Sequence, residues 1–93
     1  MIEQRDTAEA RILILGRAWC HLCHEMEAAV APIAAEFGVT IGTIDVDHHP
    51  ELEAKWDEWV PVLLCDGEYV CHYHLDEARL RAHLAAFPVH SAG

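Results

Sequence analysis

Basic side chains are scarce in this 93-residue chain: one Lys, at position 55, and five Arg stand against 16 Asp and Glu, giving a formal net charge of −10. Phosphate binding takes clustered Lys and Arg, so nucleic acid is not an expected partner. An anionic membrane surface is disfavoured for the same reason. Long apolar runs are also lacking. The longest, residues 28–35, contains Pro32 and is far too short to span a bilayer. The first residues, Met1-Ile2-Glu3-Gln4-Arg5-Asp6, hold no basic segment leading into an apolar stretch. No targeting segment is therefore expected, and the expected compartment is the cytoplasm. No internal repeat, linker or low-complexity tract is visible.

What is present is apolar material. Hydrophobic residues make up 53% of the chain and charged ones 24%, enough for a packed core and too apolar for disorder. The length allows one domain over residues 1–93, with a core at about 11–87. Residues 1–9 are polar and read as frayed.

Arg11-Ile12-Leu13-Ile14-Leu15, closed by Gly16, is the nearly continuous apolar run of a buried central strand. Met26, Val30, Ile33 and Phe37 recur at steps of three and four, which predicts a helix over residues 21–37. Gly38 is its C-terminal cap, and Pro32 is expected to bend it. The β-branched stretch 39–46 predicts a second strand. Asp47-His48-His49 is a break, and Pro50 opens a short helix carrying Leu52 and Trp56. Residues 60–65 and 68–74 read as two further strands around an Asp66-Gly67 hairpin turn. Asp76 caps a last helix, with Leu75 and Leu80 placed as a hydrophobic staple. Leu80, Leu84 and Phe87 form its inner face and Pro88 ends it. The order is β-α-β-α-β-β-α. Both crossovers predict parallel neighbours and the tight turn an antiparallel pair. The expectation is an α/β fold, a four-stranded mixed sheet flanked by helices on both faces.

The chemistry concentrates at Cys20-His21-Leu22-Cys23. Cys20 falls where the first long helix begins, and Cys23 follows three residues later on the same side of the first turn. A helix start offers unpaired N–H groups and roughly +0.5 of an elementary charge. Both favour a thiolate at Cys20, so Cys20 is expected to titrate below a free thiol. Cys23, one turn deeper, suits the resolving thiol. His21 adds a positive charge when protonated and a hydrogen-bond partner when neutral. Two other readings exist for the pair: small core residues, or a metal clip completed by His24 and His21.

Val60-Pro61 stands at the start of the third strand, where a Pro costs no ladder bond. A trans bond there simply opens the strand. A cis bond turns the Val60 backbone toward the Cys pair, where an extended peptide could pair with it.

Leu15-Gly16-Arg17-Ala18-Trp19-Cys20-His21-Leu22-Cys23, then Val60-Pro61-Val62-Leu63 and Asp66-Gly67, resembles a glutaredoxin-like protein of the thioredoxin superfamily. The nearest group is the small bacterial glutaredoxin-like domains with a Cys-His-Leu-Cys motif. The resemblance covers residues 11–87 and implies a thioredoxin-like fold, a nucleophilic Cys20, a resolving Cys23 and a cis Pro61 facing them. It also implies Arg17 and Asp76 as contacts for the two ends of glutathione. The chain departs from the glutaredoxin pattern in three places: Leu22 stands before the second Cys, Trp59 before Val60-Pro61, and no Gly-Gly pair precedes Asp76.

The remaining candidates are secondary. A two-residue turn pairs Cys65 with Glu68 and Val62 with Cys71. Cys65 and Cys71 then point to opposite faces, and no bond between them is expected. His48-His49, and His72 and His74 alternating on a strand face, read as solvated loop and edge residues. Trp19 forms an apolar rim for a partner beside Cys20, while two of the three Trp are expected in the core. Glu25 and Glu27 read as a solvated helix face. Together these residues point to a monomeric thiol–disulfide oxidoreductase. Cys20 and Cys23 are the expected catalytic pair; Trp19, His21, Val60 and Pro61, and by the resemblance Arg17 and Asp76, are the expected substrate contacts. That substrate is a disulfide-containing protein or a glutathione mixed disulfide. No bound cofactor or metal is expected, and glutathione is the candidate reductant. The alternative is a non-enzymatic module of the same fold that binds a metal ion or a partner protein.

Overall fold

The computed structural model describes residues 10–86. Phe87, Pro88 and the segment read as frayed lie outside the described residues. The elements are β1 (Ile12–Gly16), α1 (His21–Phe37), β2 (Ile41–Asp45), α2 (Pro50–Trp56), β3 (Val62–Cys65), β4 (Glu68–His72) and α3 (Glu77–Ala86). Two 3₁₀ turns, Val46–His48 and Asp57–Trp59, flank α2. This is the expected β-α-β-α-β-β-α order. The four strands form one mixed sheet in the spatial order β2-β1-β3-β4.

Apolar patterning explains the layers. Ile12 and Ile14 point to one side of β1, where Met26, Val30 and Ile33 of α1 and Leu80 and Leu84 of α3 cover them. Leu15 points to the other side, where Val46, Leu52 and Trp56 meet it. Helices therefore lie on both faces. α1 runs unbroken through Pro32. It stops at Gly38, whose φ of 68° is the left-handed conformation that an L side chain resists. Asp76 begins α3, its Oδ1 accepting the Arg79 N–H at 3.1 Å, and Leu75 packs on the cluster that holds Leu80. Asp66 and Gly67 both have positive φ, 54° and 82°, the twist that a two-residue hairpin turn requires.

Three expectations are corrected here. The second crossover does not join parallel neighbours. β1 pairs parallel with β2, but β3 inserts on the other side of β1, antiparallel to it. The strand at 68–74 ends at His72, because Tyr73 turns away at φ 65°; His74 therefore does not share a strand face with His72. The hairpin register also shifts midway. Cys65 pairs with Glu68 and Leu64 with Tyr69, but Leu63 pairs with Cys71 and Val62 with His72. Val70 is the extra residue of a β-bulge. It sends Val70 and Cys71 into the same core as Cys65, so the two Cys do not point to opposite faces. Both are nevertheless free. Cys65 is opposed by Glu68 and Cys71 by Leu63, so the two thiols do not stand directly across from each other.

Candidate functional site

β1 delivers the chain to the Cys-x-x-Cys motif. After Gly16 a three-residue loop leads to Cys20, which is the N-cap of α1 with an extended backbone. Its Sγ accepts the Cys23 N–H at 3.0 Å. No acidic residue occupies the first turn of α1, so nothing there opposes negative charge on that sulfur. Cys20 and Cys23 form a disulfide with Cα atoms 5.1 Å apart. Cys20 is half-buried while Cys23 is 2% exposed. One sulfur therefore meets solvent and the other is shielded behind it.

The flanking side chains divide into those that face outward and those that are held. Trp19 is 98% exposed, beside Cys20 in the chain. His21 points away to solvent, its Nε2 3.0 Å from Glu25 Oε2 one turn along α1. Arg17 is fully engaged. Its Nε donates to Asp47 at 3.0 Å, its Nη1 to the Asp57 carbonyl at 3.1 Å and its Nη2 to the Asp57 carboxylate, with Glu53 3.8 Å away. The Asp57 and Asp47 hydrogen bonds raise its pKa further above the usual guanidinium value. Arg17 thus ties the loop before Cys20 to the two 3₁₀ turns and α2.

The second of those turns leads into Val60-Pro61, whose peptide bond is cis. Leu15 pairs with Val62, which sets Pro61 level with Gly16, at the end of β1 that leads to Cys20. Pro61 is buried and Val60 packs on the cluster of Leu15, Val46 and Val62. The Pro61 carbonyl accepts the Tyr73 N–H at 2.9 Å, and the Tyr73 hydroxyl donates to the Glu58 carbonyl at 2.6 Å. Tyr73 is thus fastened to both sides of the Val60-Pro61 step. Asp76 uses its carboxylate as the α3 cap, and its N–H donates to Cys71 Sγ at 3.4 Å.

The other two thiols are set apart. Burial, assisted by the Asp66 charge, pushes the Cys65 thiol up to about 11. Burial likewise raises that of Cys71. Neither offers a thiolate at neutral pH. Among the described residues no group of three or more His, Cys, Asp and Glu is placed to hold a metal ion. None of the three Trp is buried: Trp56 is half-buried on the α2 face and Trp59 is 44% exposed. The expectation of two core Trp therefore fails, because the α2 face is capped by a single short helix that leaves ring surface uncovered. Sequence reasoning missed Tyr73, whose positive φ has no local signal such as Gly or Asn. It also missed the carboxylates at positions 47, 53 and 57, which only the tertiary fold gathers around Arg17.

A sheet of this order, with an N-cap Cys-x-x-Cys pair after β1 and a cis Pro level with the end of β1, defines a thioredoxin-fold protein with a cysteine-pair site. The described residues contain no helix long and apolar enough to cross a membrane. A family model described as "Glutaredoxin-like domain (DUF836)" matches residues 11–85, and the chain belongs to that family. An uncharacterized protein of Mycobacterium tuberculosis, Rv0508, is 35% identical over 80 residues, covering 81% of this chain and 82% of that protein. The solution structure of protein Ne2328 from Nitrosomonas europaea is similar at 28% identity, with a TM-score of 0.71 over 89% of this chain and 94% of that one. A mutant thioredoxin from Halobacterium salinarum is similar at 25% identity, with a TM-score of 0.58 over 90% and 80% of the two chains.

Proposed function

We propose that this protein is a thiol–disulfide oxidoreductase that reduces disulfides in proteins or glutathione mixed disulfides, acting as a monomer in the cytoplasm. The observation that carries the reading is the Cys20 Sγ at the α1 N-terminus, accepting the Cys23 N–H and half-open to solvent. In the dithiol state the same N–H and the helix dipole stabilise a Cys20 thiolate. That thiolate attacks one sulfur of the substrate disulfide, and the second substrate sulfur leaves as a thiolate and takes a proton. Cys23, deprotonated in turn, attacks Cys20 in the mixed disulfide and releases the other substrate sulfur. The Cys20–Cys23 bond remains, and two electrons and two protons have passed to the substrate.

Trp19, His21, Val60 and Pro61 border the path of an incoming disulfide in this reading. Arg17 and Asp76 are the candidate contacts for the carboxylate and amino ends of glutathione. Both already serve internal partners, so protein disulfides are the favoured substrates and glutathione the candidate reductant. Cys20→Ser abolishes reduction of a model disulfide such as oxidised insulin. Cys23→Ser retains the first attack and accumulates mixed disulfides, seen as mass adducts on Cys20 that dithiothreitol removes. Wild-type protein that leaves such disulfides untouched when supplied with reductant refutes the proposal.

A further inference from the structure

The β4 bulge has a chemical consequence on the α2 face. Without Val70 as an extra residue, Tyr69 and Cys71 would share a face. With it, Tyr69 and His72 do, and the Tyr69 hydroxyl meets His72 Nδ1 at 2.5 Å. Facing them from α2 and the turn after it are Trp56 and Trp59. Trp56 lies parallel to Tyr69 with ring centroids 6.3 Å apart, and Trp59 meets His72 edge-on at 4.8 Å. The four rings line a slot of about 310 Å³. Trp59 and Tyr69 are 44% and 40% exposed. Aromatic side chains held rigid and left open are the composition of a protein-recognition surface.

The slot adjoins the cis Val60-Pro61 step. Trp59 immediately precedes Val60-Pro61, and Tyr73, bonded to the Pro61 carbonyl, stacks on Trp59 at 6.3 Å. Charge selects the occupant. Arg11, Arg17 and Arg81 are each paired with carboxylates. Lys55 and Arg79 lie over the Trp56 and Tyr69 rings, each turned to a ring face. The walls of the slot are the four rings themselves, so they favour an uncharged apolar group. The whole chain carries −10, and a field of that sign steers and orients a positively charged partner.

We propose that the slot receives a large apolar side chain of a basic polypeptide, whose disulfide is then reduced at Cys20–Cys23. The proposal rests on the oxidoreductase reading and names its substrate class. Two electrons and two protons pass from the Cys20/Cys23 dithiol to the two sulfurs of the polypeptide.

Three cyclic peptides, each closed by one disulfide, test it. One carries Phe beside the disulfide with Lys flanks, one Phe with Glu flanks, and one Ala with Lys flanks. The reduced full chain is mixed with each by stopped flow, and the second-order rate constants are compared across salt concentrations. The Phe/Lys peptide reacts roughly tenfold faster than the Phe/Glu peptide at low salt, and added salt narrows the gap. It also outruns the Ala/Lys peptide by about tenfold, the effect of sequestering one large apolar side chain. Trp59→Ala removes the Phe-over-Ala advantage, and Tyr69→Ala reads the same effect should the first variant not fold. Reduction of all three peptides at equal rates overturns the docking proposal and leaves the redox reading intact, as does a Trp59→Ala variant that slows them all alike. Inability to reduce any of the peptides, or oxidised 2-mercaptoethanol, overturns the redox reading and this proposal with it.

Discussion

Arg17 offers the sharpest test of how the site is assembled. The guanidinium is 28% exposed, and its three carboxylate partners are 47–53% exposed. Ion pairs this open to water contribute about 0.2–1 kcal/mol each, and the bond to the Asp57 carbonyl about 0.5–1.5 kcal/mol. One guanidinium cannot satisfy all four fully, so the sum is about 2 kcal/mol. Replacing it with Ala also leaves Asp47, Glu53 and Asp57 facing one another without a cation, in a chain already at −10. For a domain of this size each kcal/mol moves the melting temperature by roughly 4–8 °C, so Arg17→Ala is expected to melt about 8–16 °C lower. Arg17→Lys keeps the charge but loses the planar fork and recovers less than half of the difference. Thermal unfolding followed by far-UV circular dichroism provides the measurement, with urea titration as a check. A variant that melts with the wild type, and whose only defect is weaker use of glutathione, would show that Arg17 holds a ligand and does not fasten the loop before Cys20.

Two further outcomes follow from the other ionisable groups. In native reduced protein near neutral pH, iodoacetamide adds first at Cys20, and Cys65 and Cys71 react only after denaturation, because burial pushes the Cys65 thiol to about 11 and raises that of Cys71; peptide mapping that finds Cys65 modified as fast as Cys20 contradicts this. Asp66 accepts two hydrogen bonds from Arg11, at 2.8 and 2.6 Å, which hold its carboxyl below the usual 3.8. A depressed carboxyl stabilises the fold above its unfolded pKa and loses that effect as pH falls through the folded one. Asp66→Asn, which tolerates the positive φ, should therefore cost about 1 kcal/mol at pH 7. Its stability curve should converge on the wild type as pH drops below the usual 3.8; a gap of constant size down to acid unfolding rules the account out.

Much of the fold was legible because local rules agreed with the tertiary outcome. The Ile12–Leu15 run, the Met26/Val30/Ile33 stripe, the Asp66-Gly67 turn and the Asp76 cap each signal their element within a few residues. The Cys20–Cys23 placement follows from the same local logic, and the cis Val60-Pro61 bond, which composition alone does not reveal, follows from the family resemblance. What stayed hidden depends on distant contacts or on an inserted residue. Counting two residues per pleat back from Asp66-Gly67 pairs Val62 with Cys71, and nothing in Tyr69-Val70-Cys71 announces that Val70 breaks the count. The β-α-β pattern around α2 reads as a parallel crossover, yet β3 settles beside β1 rather than β2. Arg17 looks like a free cation in the sequence, since the carboxylates that hold it lie 30–40 residues further on.

The irregular step in β4 also bears on how the molecule behaves in a crowd. β4 is one of the two outermost strands of the sheet, and a regular outermost strand invites a neighbour to continue the ladder. The extra residue at Val70 breaks the even spacing of that border, so an approaching strand finds only a few residues in step before the match is lost. The residue that turns His72 toward Trp59 thereby also discourages copies of this chain from zipping together along β4.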